Sequence, residues 1–215
     1  MIPLFLDLRE LPVVIFGGGR VGLRKAKFFA REAAVTVLSR SFDVGFDAIQ
    51  SSCSIQKIIC DIETLTDLDL EGQMSGAAVC VAATSDTALN DRIGAIARSC
   101  GVHFNNASGE AGDTTIPSVI HGESYTIALS TGAKSPAVTH WMRLVLEEVL
   151  AQACPDIPGM ITLQESVRAH LKETEPNQKR RAAVLWKIVQ DPAVHKKLNE
   201  GTAAALAYVM EAYQL

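Results

Sequence analysis

A chain of 215 residues, 48% hydrophobic and 20% charged, holds enough apolar material for one core or two small ones and is too apolar for a disordered segment. Its formal net charge of -4 argues against a general nucleic-acid binder, and no apolar run reaches the length that crosses a bilayer. The start, MIPLFLDLRELP, lacks the basic region, long apolar core and small-residue cleavage site of a secretory signal, which predicts a cytoplasmic chain.

In chain order, Pro3 to Leu8 is a first strand candidate and Val13 to Phe16 a second, short and apolar enough to be buried on both faces. Arg20 to Arg31 carries Val21, Leu23, Ala26, Phe28 and Phe29 at helical spacing. Parallel strands are predicted at Val35 to Leu38, Ile55 to Ile59 and Ala77 to Ala82, then a helix with Leu89, Ile93, Ile96 and Cys100 on one stripe, then a strand over Val102 to Asn105. Strands that alternate with helices predict a Rossmann-type doubly wound parallel sheet, an α/β fold. After a turn-rich loop from Ser108 to Asp113 the pattern changes: Ile116 to Ile120 and Tyr125 to Ser130 form a hairpin through His121, Gly122 and Glu123. Ser135 and Pro136 open a helix to about Val149, and helices follow over Ile161 to Leu171, around Val184 to Val189 and over Thr202 to Tyr213. The domain boundaries expected from this are a nucleotide domain over 1–113, a small α+β segment over 114–154 and a helical C-terminal domain over 155–215.

The five cysteines, Cys53, Cys60, Cys80, Cys100 and Cys154, are odd in number and contain no C-x-x-C pair, so they read as reduced thiols, most of them small buried hydrophobes. No histidine spacing suggests a metal site, and no nucleophile elbow suggests a hydrolase.

The glycine loop carries the chemistry. Gly17-x-Gly19-x-x-Gly22, with an apolar strand before it and a helix after it, is a dinucleotide fingerprint. Gly17 permits the tight turn, Gly19 lets the backbone approach the pyrophosphate, and Gly22 lets the helix pack against the sheet. The amides at Arg20 and Val21, at the start of that helix, would face the phosphates. The acid expected at the end of the next strand to hold a ribose hydroxyl is absent, and Ser39 and Arg40 stand there instead; Ser39 can bond a ribose and Arg40 can tolerate a 2'-phosphate, or be only a solvated surface residue. Ala83 and Thr84, at the carboxyl end of a parallel strand, sit where open α/β sheets bind ligands, and Ser85 or Asp86 can equally be a helix cap there. Thr131-Gly132-Ala133-Lys134-Ser135, at a helix start, offers an anion site with Lys134 beside it, or an ordinary capped connection.

Three stretches together, MIPLFLDLRELPVVIFGGGRVGLRKAKFF, VAATSDTALND and FNNASGEAGDTTIPSVIHGESYTIALSTGAKSP, resemble the precorrin-2 dehydrogenases of siroheme biosynthesis, including the N-terminal module of siroheme synthases. The resemblance covers about the first two thirds of the chain. It implies NAD-dependent oxidation of precorrin-2 to sirohydrochlorin, a homodimer joined through the segment after the nucleotide domain, and, in some members, metal insertion. By the same resemblance Asn105 and Asn106 position the tetrapyrrole ring or the nicotinamide amide; because that substrate bears many carboxylates, the loop residues Thr131, Gly132, Lys134 and Ser135 are candidates to contact them, with His121, His140 and Arg143 as weaker candidates. Many members carry an aspartate a few residues after the asparagine of the last parallel strand; here Ser108 occupies that place, and Asp113 or Glu110 in the same loop can supply a carboxylate. Ser108 and Asp113 are therefore the expected catalytic residues, with no metal ligand set. Two rivals are a nucleotide-sensing module without turnover and a chelatase with a vestigial redox site.

Overall fold

The computed structural model describes residues 2–49, 54–108, 112–153 and 156–215; Cys53, Glu110 and Cys154 lie outside the described residues. The chain divides into two units, Met1–Ile116 and Pro117–Leu215, so the expected small segment and helical domain share the second unit.

In the first unit, Val13–Phe16 (β1), Val35–Ser39 (β2), Ile55–Ile59 (β3), Val79–Ala82 (β4) and His103–Asn106 (β5) form one parallel sheet in the order β3-β2-β1-β4-β5. Period-two alternation sends neighbouring side chains of each strand into different cores. Val14, Phe16, Leu38, Cys80, Ala82 and Phe104 pack on one face against Leu70 and Met74 of Asp67–Met74 (α3) and Leu89, Ile93 and Ile96 of Thr87–Ser99 (α4). Val13, Ile15, Val35, Val37, Val79 and Val81 pack on the other against Ala26 and Phe29 of Arg20–Phe29 (α1) and Phe46 of Gly45–Ile49 (α2). Burial on both faces explains why β1 and β4 are unbroken apolar runs. The order reverses between β1 and β4, which creates a switch point at their carboxyl ends.

Three expectations need correction. Pro3 to Leu8 is not a strand: it has no sheet partner, and Ile2, Leu4, Phe5 and Leu6 are exposed while Leu8 alone of that run enters the core. An apolar run without a neighbouring edge has nowhere to place its amide and carbonyl groups, so composition misleads there. Cys100 is not on the buried stripe of α4; it is the exposed residue just past the helix end. Of the described cysteines only Cys80 is fully buried, with Cys60 intermediate.

In the second unit, Ser118–His121 (β6) and Thr126–Leu129 (β7) pair antiparallel, closed by the Gly122 amide donating to the Tyr125 carbonyl at 2.9 Å. Pro136–Ala153 (α5) follows, and the Ser135 hydroxyl accepts from the Val138 amide at 3.3 Å, the expected cap. Ile157–Thr174 (α6), Gln178–Gln190 (α7), Pro192–Leu198 (α8) and Thr202–Ala212 (α9) enclose a separate core of Leu163, Val167, Leu171, Ile188, Val194, Leu198, Ala205 and Val209. Side-chain caps from Asp156, Asn177 and Asp191 start three of these helices. Among the described residues no helix is long and apolar enough to cross a membrane.

Candidate functional site

A cleft of about 480 Å³ opens at the switch point of the sheet. Its walls are the residues that follow β1, β2, β3 and β4: Gly17 to Val21, Ser39 to Ser41, Asp61 to Glu63, and Ala83 to Asp86, with Leu89 of α4. Of the expected cofactor residues, Gly17, Gly19, Arg20, Val21, Ser39, Arg40, Ala83 and Thr84 line it together, whereas Gly22 and Asn105 do not.

The glycines divide by what surrounds them. Gly17 has φ +116°, and a methyl group on it would lie 2.4 Å from the Ala83 carbonyl oxygen; one on Gly22 would lie 1.9 Å from the Gly17 carbonyl oxygen. Both are demanded by the fold itself. Gly19 differs: a methyl group there would meet nothing within 4 Å. Its small size leaves room on the open side of the cleft, where a ligand would approach the backbone. The helix that starts at Arg20 also has no side-chain cap from Gly19 and no acid in its first turn, so its amide dipole end is left to an anion. The structure therefore fits the pyrophosphate of a dinucleotide.

Beneath the cleft a fully buried amide, Asn90, joins three elements. Its Oδ1 accepts from the Thr84 hydroxyl at 2.7 Å and the Thr84 amide at 3.2 Å, and its Nδ2 donates to the Thr84 carbonyl at 3.2 Å and the Ser108 hydroxyl at 2.9 Å. One side chain of α4 thus fixes the end of β4 and the segment after β5. Asp86 caps α4 through its carboxylate and the Leu89 amide, so the strand-to-helix turn is capped as well as lining the cleft. The sequence reading missed Asn90, although an amide next to Leu89 and three residues before Ile93, on the buried face of α4, was a visible irregularity.

Asn105, 6% exposed, donates Nδ2 to the Thr114 carbonyl at 2.7 Å, and its Oδ1 is buried with no hydrogen-bond partner among the described residues. Asn106 donates to Asp91 at 3.1 Å and accepts from the Ser108 amide at 3.1 Å. Asp113 does not line the cleft: its Oδ1 accepts from the Phe104 amide at 2.8 Å and the Thr114 hydroxyl at 2.9 Å, holding the flank of β5. Ser108 and Asp113 therefore both belong to the segment that leaves β5, one tied to Asn90 and one to the strand.

Asp61 and Glu63 were not anticipated. Both line the cleft beside Ser39 and Arg40, because the Cys60 amide donates to the Ser39 carbonyl at 3.1 Å and carries the end of β3 alongside that of β2. Burial and then the Asp61 carboxylate push the Cys60 thiol up, so it is protonated at neutral pH and is no nucleophile.

In the second unit, the loop from Thr131 to Ser135 is ordered by its own hydroxyls. The Thr131 Oγ1 accepts from the Ser135 amide at 3.1 Å and lies 3.0 Å from the buried Thr139 hydroxyl. Gly132 and Ala133 both have left-handed backbones, φ 65° and 63°, and Lys134 is exposed at the tip. Arg143 pairs with Glu147 at 2.6 Å. A larger groove of about 550 Å³ lies between α6 and α7, rimmed by the long side chains of Glu165, Arg168, Lys172 and Arg181; it has none of the strand-end backbone that marks the first cleft. Among the described residues no group of three or more His, Cys, Asp or Glu could hold a metal ion.

Comparisons with known proteins agree with this geometry. A family model described as "Putative NAD(P)-binding" matches residues 4–118. A protein of Methanosarcina barkeri named precorrin-2 dehydrogenase is 36% identical over 211 residues, 97% of this chain and 92% of the relative. A siroheme synthase of Nitrosomonas eutropha is 27% identical over 97% of this chain, which spans only 42% of that longer protein. A solved structure described as SirC, precorrin-2 dehydrogenase, superposes with a TM-score of 0.70 at 20% identity, over 98% of this chain and 100% of that one, and shares the fold.

Proposed function

The chain belongs to the precorrin-2 dehydrogenase family, and from that premise we propose that it oxidises precorrin-2 to sirohydrochlorin with NAD, a step of siroheme biosynthesis. The observation that carries the reading is the cleft at the switch point, with an uncapped helix start and open space over Gly19. NAD bound there supplies a hydride acceptor.

The chain's own residues bind and orient. The amides at the start of α1 and the Arg20 side chain would hold the pyrophosphate, and Ser39 would bond a ribose hydroxyl. Ala83 and Thr84, small and fixed by Asn90, would leave room in the cleft for the ring half of the dinucleotide. Asn105 is assigned to the nicotinamide amide through the family resemblance; it lies outside the cleft lining, and its Oδ1 has no hydrogen-bond partner among the described residues. In the second unit Thr131, Gly132, Lys134 and Ser135 are assigned to substrate carboxylates, supported by the helix start after Ser135 and the exposed ammonium of Lys134, and in the first unit Asn106 is assigned to the substrate through the family resemblance alone.

Loss of two hydrogens as hydride and proton leaves a proton to place. Ser108 and Asp113 are the proposed polar groups for it, Ser108 relaying to water from the position where Asn90 holds it. An unaided serine is a poor base, so orientation carries most of the rate and chelation is not part of the proposal. Ser108→Ala should lose less than about tenfold in kcat, about 1.4 kcal/mol, measured beside intact NAD binding.

The chain is also proposed to work as a homodimer in the cytoplasm. Val138, Trp141, Val145 and Val149 form an exposed apolar stripe along α5, whose only buried residue is Thr139, and such a stripe supports a protein partner. The free thiols support a reducing compartment.

The test is anaerobic incubation with precorrin-2 and NAD, following reduced nicotinamide and the sirohydrochlorin spectrum together, before and after ferrous or cobaltous ion. Equal appearance of both products is expected; NAD binding without either product would replace the enzyme by a nucleotide sensor.

A further inference from the structure

The ribose end of the cleft holds a charge arrangement that bears on which dinucleotide enters. Arg40, at the end of β2, is the only cation there among the described residues, and it is already engaged: its Nη2 lies 3.1 Å from Glu63 Oε1 and its Nη1 lies 3.7 Å from Asp61 Oδ2. Asp61 is itself fixed, since its Oδ1 accepts from the Glu63 amide at 3.1 Å and starts a 3-10 turn over Ile62–Thr64. One guanidinium facing two carboxylates leaves this corner with a net charge of -1. The acid missing from the end of β2 in the sequence is thus supplied from the end of β3, one strand further along the sheet.

Resting on the nucleotide-binding reading above, we propose that Asp61 and Glu63 set the cofactor choice: they occupy Arg40 and repel a 2'-phosphate, so the cleft takes NAD and rejects NADP. A 2'-phosphate adds between one and two negative charges. Entering this corner, it would have to break the Arg40 pairs and then lie beside the two carboxylates it displaced. A ribose 2'-hydroxyl adds no charge and can donate to either carboxylate or to Ser39. Exposed ion pairs like these contribute little to folding, so their effect is on the local potential, not on stability. The same exposure makes the discrimination sensitive to ionic strength.

Equilibrium binding separates this from a surface pairing without consequence. The probes are 5'-AMP and adenosine 2',5'-bisphosphate, which differ only in the 2'-phosphate, titrated into the whole protein without substrate. Wild type should prefer 5'-AMP by more than about tenfold, and the preference should shrink as salt rises. In Asp61→Asn/Glu63→Gln the preference should narrow by about tenfold, and adding Arg40→Ala should reverse that gain. Asparagine keeps the turn cap at 61, and Glu63→Gln alone, whose side chain pairs only with Arg40 among the described contacts, should narrow the preference by about threefold even if the double variant fails to fold. An unchanged ratio in folded variants, or equal binding of both probes by wild type, would overturn the proposal while leaving nucleotide binding in place. If wild type binds neither these probes nor NAD, the nucleotide reading itself falls.

Discussion

A methyl group at Gly17 would run into the Ala83 carbonyl, whereas the same group at Gly19 would enter empty space. These two substitutions therefore separate fold from function. Gly17→Ala should destabilise by more than about 2 kcal/mol, from left-handed strain and a backbone clash together. Gly19→Ala should cost under about 1 kcal/mol in urea unfolding, yet weaken NAD binding at least tenfold by calorimetry. The fingerprint gives each glycine its role, and the surrounding backbone shows which substitution the fold itself forbids. A second residue effect concerns Lys25 of α1. Burial, and then repulsion from Arg24, push its ammonium from 10.5 down to about 8. A lowered base means that the folded state carries a penalty below about pH 8, where both states hold the proton. As pH rises from about 8 to 10.5 the unfolded chain binds more protons, so stability climbs through that window. Lys25→Met should remove the climb, read as the change in urea midpoint between pH 8 and pH 10 in variant against wild type.

At the scale of elements, the sequence was most legible where two signals coincided. The apolar runs of β1 and β4 ended in glycine or in small polar residues, and both became central strands; Ser135-Pro136 marked the start of α5 to the residue. Legibility failed where only one signal was present. The residues Ile2 to Leu6 were apolar without a partner strand, and α3 was overlooked because only Leu70 and Met74 of its eight residues are buried, although its capping box, Thr66 with Asp69, was readable. The lining of the glycine cleft followed from strand ends, but Asp61 and Glu63 did not, since their place beside Arg40 depends on β3 pairing with β2. The exposed stripe of α5 makes its own claim. If α5 forms the proposed dimer interface, Trp141→Asp and Val145→Asp should each shift the protein toward monomer in light scattering, with helix content unchanged, because a buried unpaired carboxylate costs several kcal/mol in an interface and nothing on a free surface.

Considered whole, the molecule couples ligand to stability through its first unit. The cleft joins the ends of β1, β2, β3 and β4, so a dinucleotide bound there would bridge four of the five strands. At NAD a hundredfold above Kd, stabilisation of about 2.7 kcal/mol is expected, seen as a rise in the melting temperature of this unit, and the tenfold weaker binding of Gly19→Ala should cut it to about 1.4 kcal/mol or less. The alternation within β1 has another consequence. Val13 and Ile15 belong to one core and Val14 and Phe16 to the other, with Gly17 turning immediately after. Deleting or inserting one residue would exchange the contents of the two cores across all four positions and carry the turn glycine out of place. Over evolutionary time this strand can change its letters one at a time, but it cannot change its length.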